Sequence, residues 1–383
     1  MKKLFYIGLL GLGLFEILKV YFIMPMPGSQ RMESIDIAYF LHTYRWYLRV
    51  LFGVMIILGT VKAFGIKQRW IPLIPLLAVG YIVYNFNFKM TADHMFLQPD
   101  KLSFKKRSEN ILGDSSLVIG VAHNGEAKAY PVRYIAYHHQ VRDTVGGKPV
   151  MVTYCNVCRT GRVFEPVVNG DTENFRLVGM DHFNAMFEDS STKTWWRQAT
   201  GEAVAGPLKG SVLPEIESVQ VSASKFFWMY PFGVMMDPDE TSTRYYDSLA
   251  RFERGKSRGE LTRTDSVSWK DKSWVIGIQL GDESKAYDWI ELKDKKIVND
   301  KIADVPIIVV ISEDGQSFAA FQRPSESDTF SIRNDTLRSS TAAYDFSGKL
   351  LLTDSDSVAS LKRILAYQEF WHSWKTFHPQ TKH

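Results

Sequence analysis

The chain has 383 residues, of which 45% are hydrophobic and 13% aromatic, including ten tryptophans. A chain of this length can form more than one folded core, and its aromatic content excludes a disordered protein. Its formal net charge of +4 is spread over the sequence without a long basic run, which argues against nucleic acid as a partner.

Three apolar stretches open the sequence, and a membrane-spanning helix needs about 20 mostly apolar residues. We therefore predict a membrane anchor with about three transmembrane helices in residues 1–90, near 4–26, 47–61 and 70–86. Glu16 and Lys19 are predicted to form a neutralising pair on one helix face, and a functional charge inside the membrane is the alternative. No small-residue cleavage site follows the first stretch, so we interpret it as an uncleaved anchor.

Basic residues predict the orientation of the anchor, because cytoplasmic loops carry an excess of lysine and arginine. Such residues flank the first stretch and separate the second from the third: Lys2, Lys3, Lys62, Lys67 and Arg69. This places the N-terminus in the cytoplasm and the chain after residue 87 outside it, although Arg45 and Arg49 favour the opposite. We expect a multi-pass protein of the inner (cytoplasmic) membrane with an extracytoplasmic C-terminal domain. Two spans instead of three would leave that domain in the cytoplasm.

The part after the anchor contains an internal repeat with a constant offset of 157 residues, from Leu117 to Trp274. Identical pairs include Gly120/Gly277, Tyr130/Tyr287 and Asp143/Asp300. Alternating apolar runs predict strands at 117–122, 127–130 and 149–154, and a short helix is predicted at 132–138. We therefore predict an α+β, strand-dominated duplicated domain. Its parts are a first unit at 91–236, a charged, exposed excursion or linker at 237–270, and a second, degenerate unit at 271–383.

The only two cysteines, Cys155 and Cys158, lie in the motif TYCNVCRTG at the end of a predicted strand. The second copy lacks both and has Lys296 in place of His139. Polar residues present in only one copy are candidates for chemistry, so we predict a thiol site made by Cys155, Cys158 and His139. Two sulfurs and an imidazole are suitable ligands for a copper or zinc ion. Arg159 stands where a CxxCH motif has its histidine, which disfavours a c-type haem.

Several interpretations of these cysteines remain open. They form a metal-binding or redox site, or a disulfide that only closes a turn, or one of them is a nucleophile with His139 as its base. Arg159 directly follows Cys158 and would favour the thiolate form. A redox site implies a redox partner in the cell envelope.

A second segment, residues 187–210, has no full counterpart in the second copy and contains Trp195, Trp196 and Gln198. We predict that these residues, with Asp143 and Arg159, line a pocket over the thiols. Core packing is the alternative for the tryptophan pair. A pocket that works without thiol chemistry would indicate a non-enzymatic binding or assembly module for another envelope protein.

The runs AYPVRYIAYHHQVRDTVGGKPVMVTYCNVCRTGRVF and FEDSSTKTWWRQATGEAVAGPLKG resemble a bacterial and archaeal family known as domain of unknown function 3179. Its usual pattern has AYP, HExVND, TYCPLCxT and a WxQ segment in this order. The resemblance implies that the family's motif residues fall on His139, Asp143, Cys155, Cys158, Trp196 and Gln198. This chain departs from the pattern with Gln140 in place of glutamate and Asn156-Val157 in place of Pro-Leu. The missing carboxylate argues against a general base beside the histidine, and the resemblance implies an envelope protein without naming a reaction.

Overall fold

The computed structural model describes residues 1–65, 68–353 and 358–383, so Lys67 of the orientation argument lies outside the described residues. The chain divides into two compact units. The first unit contains Met1–Leu97, Glu173–Arg197 and Glu202–Val212, and the second contains Gln98–Thr172, Gln198–Gly201 and Leu213–His383. Part of the predicted first repeat therefore belongs to the same unit as the N-terminal helices.

Among its described residues, the first unit has five α-helices and four strands. The helices are α1 Lys2–Tyr21, α2 Ile35–Thr43, α3 Arg45–Phe64, α4 Leu73–Phe88 and α5 Ala92–Met95. The strands are β9 Phe175–Asp181, β10 Asn184–Asp189, β11 Trp195–Arg197 and β12 Ala203–Ala205, numbered along the whole chain. They form one antiparallel sheet in the order β12-β11-β10-β9.

The elements of the second unit are mostly strands. Its helices are α6 Val132–His138, α7 Ala223–Met229, α8 Thr243–Glu253, α9 Trp289–Lys295 and α10 Trp371–Phe377. Up to residue 236 its strands are β1 Phe104–Lys105, β2 Leu117–His123, β3 Glu126–Pro131, β4 Gln140–Val145, β5 Lys148–Cys155, β6 Thr160–Phe164, β7 Val167–Val168, β8 Asp171–Thr172, β13 Val219–Ser222 and β14 Val234–Met236. After residue 273 they are β15 Trp274–Leu280, β16 Glu283–Asp288, β17 Ile297–Ile302, β18 Val305–Ile311, β19 Phe318–Gln322, β20 Ser331–Arg333, β21 Thr336–Arg338, β22 Ala342–Tyr344, β23 Leu350–Thr353, β24 Arg363–Ile364 and β25 Tyr367–Phe370.

Three apolar helices occur where the sequence predicted them. Among the described residues, α1 and α3 are each long and apolar enough to cross a membrane, judged by length and composition only, and α4 is shorter at 16 residues. This is weak support for a membrane anchor. The predicted pairing of Glu16 with Lys19 is confirmed, because Oε2 of the glutamate lies 2.9 Å from Nζ of the lysine. Arg49 of α3 joins the pair, with Nε 2.7 Å from Oε1 of the same carboxylate.

The second unit contains two sets of sheets with the same order of elements. The first set is β1-β14-β3-β2-β13 and β4-β5-β6, and the second is β16-β15-β25 and β17-β18-β19-β24, with β20-β21-β22-β23 as a further sheet. The strand-rich α+β class follows from this arrangement. Alternate residues of β5, Val150, Val152 and Tyr154, enter the core of the first set, which is the pattern of a strand packed on one layer.

The elements of the two sets begin and end at equivalent residues. Strands β2 and β3, helix α6 and strand β4 have the same bounds as β15, β16, α9 and β17 after a shift of 157 residues. Their contacts also correspond, since Tyr130 Oη donates to Asp143 Oδ2 at 2.7 Å and Tyr287 Oη donates to Asp300 Oδ2 at 2.8 Å. A Cβ at Gly120 would meet the Phe226 ring at 2.7 Å, and one at Gly277 would meet the Trp374 ring at 2.2 Å. Both glycines therefore let a closing helix approach the sheet.

The segment 237–270, predicted to be exposed, is partly buried. It contains helix α8, whose Tyr246, Phe252 and Glu253 are buried. Phe252 belongs to the core that contains β5, and the Glu253 carboxylate accepts hydrogen bonds from the backbone N–H of Leu117 and from Arg133. Although the segment is rich in charged residues, it contains an amphipathic helix whose apolar face packs on the core of the first set of sheets.

Candidate functional site

The two cysteines lie on a tight hairpin between β5 and β6. Cys155 is the last residue of β5 and pairs with Thr160, the first residue of β6, so that residues 156–159 form the loop. Arg159 ends this loop with a φ of 58°, a left-handed conformation that short hairpin loops use to reverse direction. Both cysteine side chains are 0% exposed.

His139 lies beside the cysteine-bearing strand. Its carbonyl oxygen accepts a hydrogen bond from the N–H of Tyr154, the residue before Cys155, at 3.0 Å. The imidazole is buried, and its Nδ1 lies 3.1 Å from the Tyr137 carbonyl oxygen. Burial lowers the pKa of His139 to about 4, against the effect of the Tyr137 hydrogen bond. The ring is therefore neutral at pH 7, and an Nδ1 that donates leaves the lone pair on Nε2.

The position of His139 is shared by both sets of sheets, but its side chain is not. His139 follows α6 with a φ of 62°, and Lys296 follows α9 with a φ of 65°. The Lys296 carbonyl likewise accepts from the N–H of Ile311, at 2.9 Å. The left-handed backbone is thus a feature of the fold, and the imidazole is the difference.

Two residues that the sequence did not predict approach the cysteine loop. The Nζ of Lys272, in the segment before β15, donates to the Val157 carbonyl oxygen at 2.8 Å. The same Nζ lies 3.0 Å from Nε2 of His372, the second residue of α10, and this Nε2 is 3.2 Å from the Val157 oxygen. Lys272 is only 8% exposed. An ammonium and an imidazole therefore meet at the middle of the CxxC sequence.

The charges of this cluster are coupled. Burial lowers the pKa of Lys272, while its interactions with Cys158 and, less strongly, with Cys155 oppose that effect. Burial, followed by the neighbouring Lys272, lowers the pKa of His372 to about 3. His372 is therefore neutral at pH 7, and its Nε2 can accept a hydrogen bond from the lysine. A buried cation beside a thiol favours the thiolate, which is the reactive form.

Arg159 ties the cysteine loop to the elements around it. Its guanidinium is buried and donates to the carbonyl oxygens of Phe252 at 3.1 Å and Glu253 at 2.9 Å. It also donates to Gln368 Oε1 at 3.1 Å and lies 3.5 Å from the centre of the Trp274 ring. These contacts explain why an arginine follows the second cysteine: it holds the loop, helix α8 and strand β25 together.

The closing strand of each set contacts the hairpin of the other set. In β25, Phe370 N–H donates to the Cys158 carbonyl oxygen at 2.8 Å, and Glu369 accepts from Thr160 at 2.8 Å. In β13, Ser222 N–H donates to Ser317 Oγ at 2.9 Å, next to the loop that replaces the cysteines. The environment of the thiols is therefore supplied largely by the C-terminal half.

The remaining predicted residues fall into three places. Asp143 binds Lys128 and Tyr130, as Asp300 binds the equivalent pair, which is a structural role common to both sets. Gln198 Nε2 donates to Thr153 Oγ1 at 3.0 Å and to the Thr160 carbonyl at 3.1 Å, so it bridges the two strands of the cysteine hairpin.

Trp195 and Trp196 belong to the first unit, whereas the cysteines belong to the second. Both indoles are buried, and their Nε1–H groups donate to Glu188 and Asp189, each at 2.9 Å. These contacts are those of a packed sheet. The predicted pocket over the thiols stays a prediction.

The described part of the chain contains no group of three or more His, Cys, Asp or Glu side chains arranged to hold a metal ion. The geometry thus gives no support to the predicted ligand set of His139, Cys155 and Cys158. It favours a thiol site that interacts with the buried Lys272.

Sequence reasoning missed Lys272 and His372 because it treated the second copy as degenerate. A signal was present: Lys272 corresponds to Ser115 by the shift of 157 residues, and His372 corresponds to Ser224 when helix α10 is aligned with α7, so the two halves differ in ionisable groups here as well. The cysteines were selected because only the first copy has them. By the same criterion, Lys272 and His372 could have been selected because only the second copy has them.

Comparison with known proteins gives a family and no close relative. Residues 98–381 match a family described as protein of unknown function, DUF3179. No curated protein and no solved structure matches the chain. The match covers most of the chain, including the whole cysteine hairpin and both residues that approach it, so the chain belongs to the DUF3179 family.

Proposed function

We propose that this protein is a membrane-anchored dithiol–disulfide oxidoreductase of the cell envelope, with Cys155 and Cys158 as its redox pair. The observation that carries the proposal is the buried Lys272, which is hydrogen-bonded to the CxxC loop and coupled electrostatically to both cysteines. Burying an ammonium is costly, and none of the ion pairs between described residues includes Lys272, although Asp271 and Asp265 interact with it at longer range. A role in chemistry therefore explains its position better than a role in stability.

The proposed reaction is thiol–disulfide exchange with a disulfide of an envelope protein. The Cys158 thiolate, which interacts more strongly with Lys272 than Cys155 does, attacks one sulfur of the partner and expels the other as a thiolate. Cys155 then attacks the Cys158 sulfur of the mixed disulfide. The partner gains two electrons and two protons, and Cys155 and Cys158 become a disulfide; the reverse sequence oxidises a partner dithiol.

Access to the sulfurs requires movement of the loop, because both cysteines are fully buried. The contacts that close the loop include hydrogen bonds to the backbone carbonyls of Val157 and Cys158 from Lys272 and Phe370, and the contacts of Arg159 with α8 and β25. Opening the loop requires these contacts to break. We propose that binding of the partner opens the loop.

We also propose that the two sets of sheets arose by duplication and then divided the chemistry between them. The supports are the constant shift of 157 residues and the equivalent Tyr–Asp pairs. In this interpretation the first copy kept the sulfurs and His139, and the second copy kept Lys272 and His372.

For the anchor we propose three membrane-spanning helices, α1, α3 and α4, with the DUF3179 domain outside the cytoplasm. Lys19, Arg49 and Asn87 lie at the same end of these helices, where they share the Glu16 carboxylate. The Glu16 carboxylate neutralises Arg49. The lysines at the opposite ends of α1 and α3, which are Lys2, Lys3 and Lys62, therefore determine which side of the membrane is cytoplasmic. This orientation can be tested with a reporter enzyme that is active only outside the cytoplasm, fused after residue 65 or after residue 97. Only the second fusion should be active.

A redox titration of the full chain in detergent tests the function. The protein is equilibrated in glutathione buffers of increasing oxidising ratio, quenched with acid, and its thiols are counted by mass after maleimide labelling. Both thiols should disappear together in one two-electron transition that leaves the mass of an internal disulfide, whereas Cys155→Ser and Cys158→Ser should lose their single thiol only as a glutathione adduct.

Two outcomes would contradict the oxidoreductase proposal. Two labelled thiols in the most oxidising buffer would show that the pair does not form a disulfide. A stoichiometric copper or zinc ion that Cys155→Ser loses would favour the metal-binding interpretation instead.

A further inference from the structure

A cluster of cations surrounds two adjoining cavities in the first unit, which does not contain the cysteines. The cations are Lys19, Arg45, Arg49, Arg176 and Lys193, with His42 among them. The larger cavity has a volume of 420 Å³, and the smaller one, of 140 Å³, is lined by residues at the ends of α1 and α4. The larger volume is within the range of small-molecule sites, about 300–1,000 Å³.

The carboxylates near these cations do not balance them. Glu16 pairs with Lys19 and Arg49, and Glu188 pairs with Arg176 at 2.8 Å, with Asp93 at 3.4 Å from the same arginine. Among the described residues, Arg45 takes part in none of these ion pairs, and its Nη1 donates to the His42 carbonyl at 2.6 Å. Counted over the described residues, the cluster therefore has five cations and three anions, and its surplus positive charge borders both cavities.

The cavities lie at the end of the apolar helices. Arg45 is the first residue of α3, Lys19 lies in the last turn of α1, and Asn87 lies in the last turn of α4. Aromatic side chains are exposed at the same end: Trp46 is 64% exposed and Tyr47 is 75% exposed. Tryptophan and tyrosine are typical of the interface between lipid tails and headgroups.

We propose that these cavities bind the phosphate of an anionic phospholipid headgroup. Arginine is the preferred ligand of phosphate because its guanidinium offers two parallel N–H donors, and basic pockets between membrane helices are suited to anionic lipids. Arg45 and Arg176 line both cavities. The inference rests on the proposed membrane anchor, because it needs the lipid surface to be at the level of Arg45.

The test compares lipids and variants with the full chain in detergent. Thermal unfolding and native mass spectrometry are measured with short-chain phosphatidylglycerol, with phosphatidylcholine of the same chain length, and with inorganic phosphate. Phosphatidylglycerol should raise the unfolding temperature and remain bound. Arg45→Gln should weaken its apparent affinity by about tenfold, the effect of one charge-assisted hydrogen bond.

The control is Arg69→Gln, because Arg69 is exposed and belongs to the segment that connects α3 to α4. It should behave like the unaltered chain. Equal effects of the two lipids, or equal affinity in Arg45→Gln, would overturn the site. An equal effect of inorganic phosphate would show that the ligand is free phosphate and not a lipid. The reporter fusions described above test the membrane anchor independently of lipid binding.

Discussion

Lys272 Nζ lies 3.0 Å from His372 Nε2, and both atoms reach the carbonyl oxygen of Val157 between the two cysteines. The lysine precedes the first strand of the second set of sheets, and the histidine is in its closing helix. The thiols of the first set are thus surrounded by ionisable groups from the second. The second set of sheets therefore contributes to the surroundings of the cysteines although it contains no cysteine itself.

The neutral state of His372 makes the stability of the domain depend on pH. Its folded pKa is lowered from 6.5 to about 3, so the unfolded chain binds more protons between these values, and stability falls as the pH falls through this window. His372→Gln should reduce the loss of unfolding free energy between pH 7 and pH 5 by about 1–2 kcal/mol.

Thermal unfolding in detergent at the two pH values measures this effect. His94→Gln is the control, because the His94 side chain is 60% exposed. An equal loss of stability in His372→Gln and the unaltered chain would show that folding does not lower the pKa of His372.

The order of attack can be tested with oxidised glutathione as the partner. If Cys158 attacks first, Cys155→Ser lacks the resolving thiol and should accumulate a glutathione adduct on Cys158. Cys158→Ser should accumulate several-fold less in the same time, since Cys155 interacts less strongly with Lys272. Intact mass spectrometry measures the amount of adduct on each variant. Equal amounts on the two variants would contradict the assignment of Cys158 as the attacking thiol and Cys155 as the resolving thiol.

The equivalent Tyr–Asp pairs give a test of the duplication. Tyr130→Phe and Tyr287→Phe each remove one hydroxyl that donates to an aspartate, at 2.7 and 2.8 Å. Each substitution should lower the unfolding free energy by about 1–3 kcal/mol and leave the redox transition unchanged. A large loss in one copy with none in the other would argue that the two positions are not equivalent.

Glu16 should be essential for the stability of the helical anchor. Its carboxylate is fully buried between Lys19 and Arg49, and Glu16→Gln leaves these two cations without a counterion. Breaking such a buried pair costs about 3–5 kcal/mol, so the yield of folded protein in detergent should fall sharply. Glu33→Gln is the control, with a side chain 94% exposed; an equal yield for both variants would contradict this role.

Local patterns in the sequence predicted much of the fold. The helix at 132–138 and the strands around it were found from periodicity, and the Glu16–Lys19 pair was found from helical spacing. The amphipathic helix α8 was missed, although Tyr246, Leu249 and Phe252 recur every three residues. Its many charged residues are typical of an exposed linker. Its packing against α6, which is visible only in the structure, shows that it is part of the folded domain.

Half of the candidate site was beyond any local pattern. The contacts of Val157 with Lys272 and His372 join residues 115 and 215 positions apart, and such distances depend on how the two sets of sheets pack. Trp195 and Trp196 were assigned to the thiol pocket because their segment has no full counterpart in the second copy. The fold assigns them to another unit, which sequence order does not reveal.

The pH dependence of thiol alkylation in Lys272→Met tests the central claim most directly. Iodoacetamide reacts with thiolates, so the pH of the half-maximal rate in the reduced full chain reports how strongly Lys272 favours ionisation. Removing a cation beside a thiol should raise this midpoint by about 1–3 pH units, whereas Lys295→Met, in an exposed ion pair with Glu291, should not change it. An identical midpoint in Lys272→Met and the unaltered chain would contradict the account.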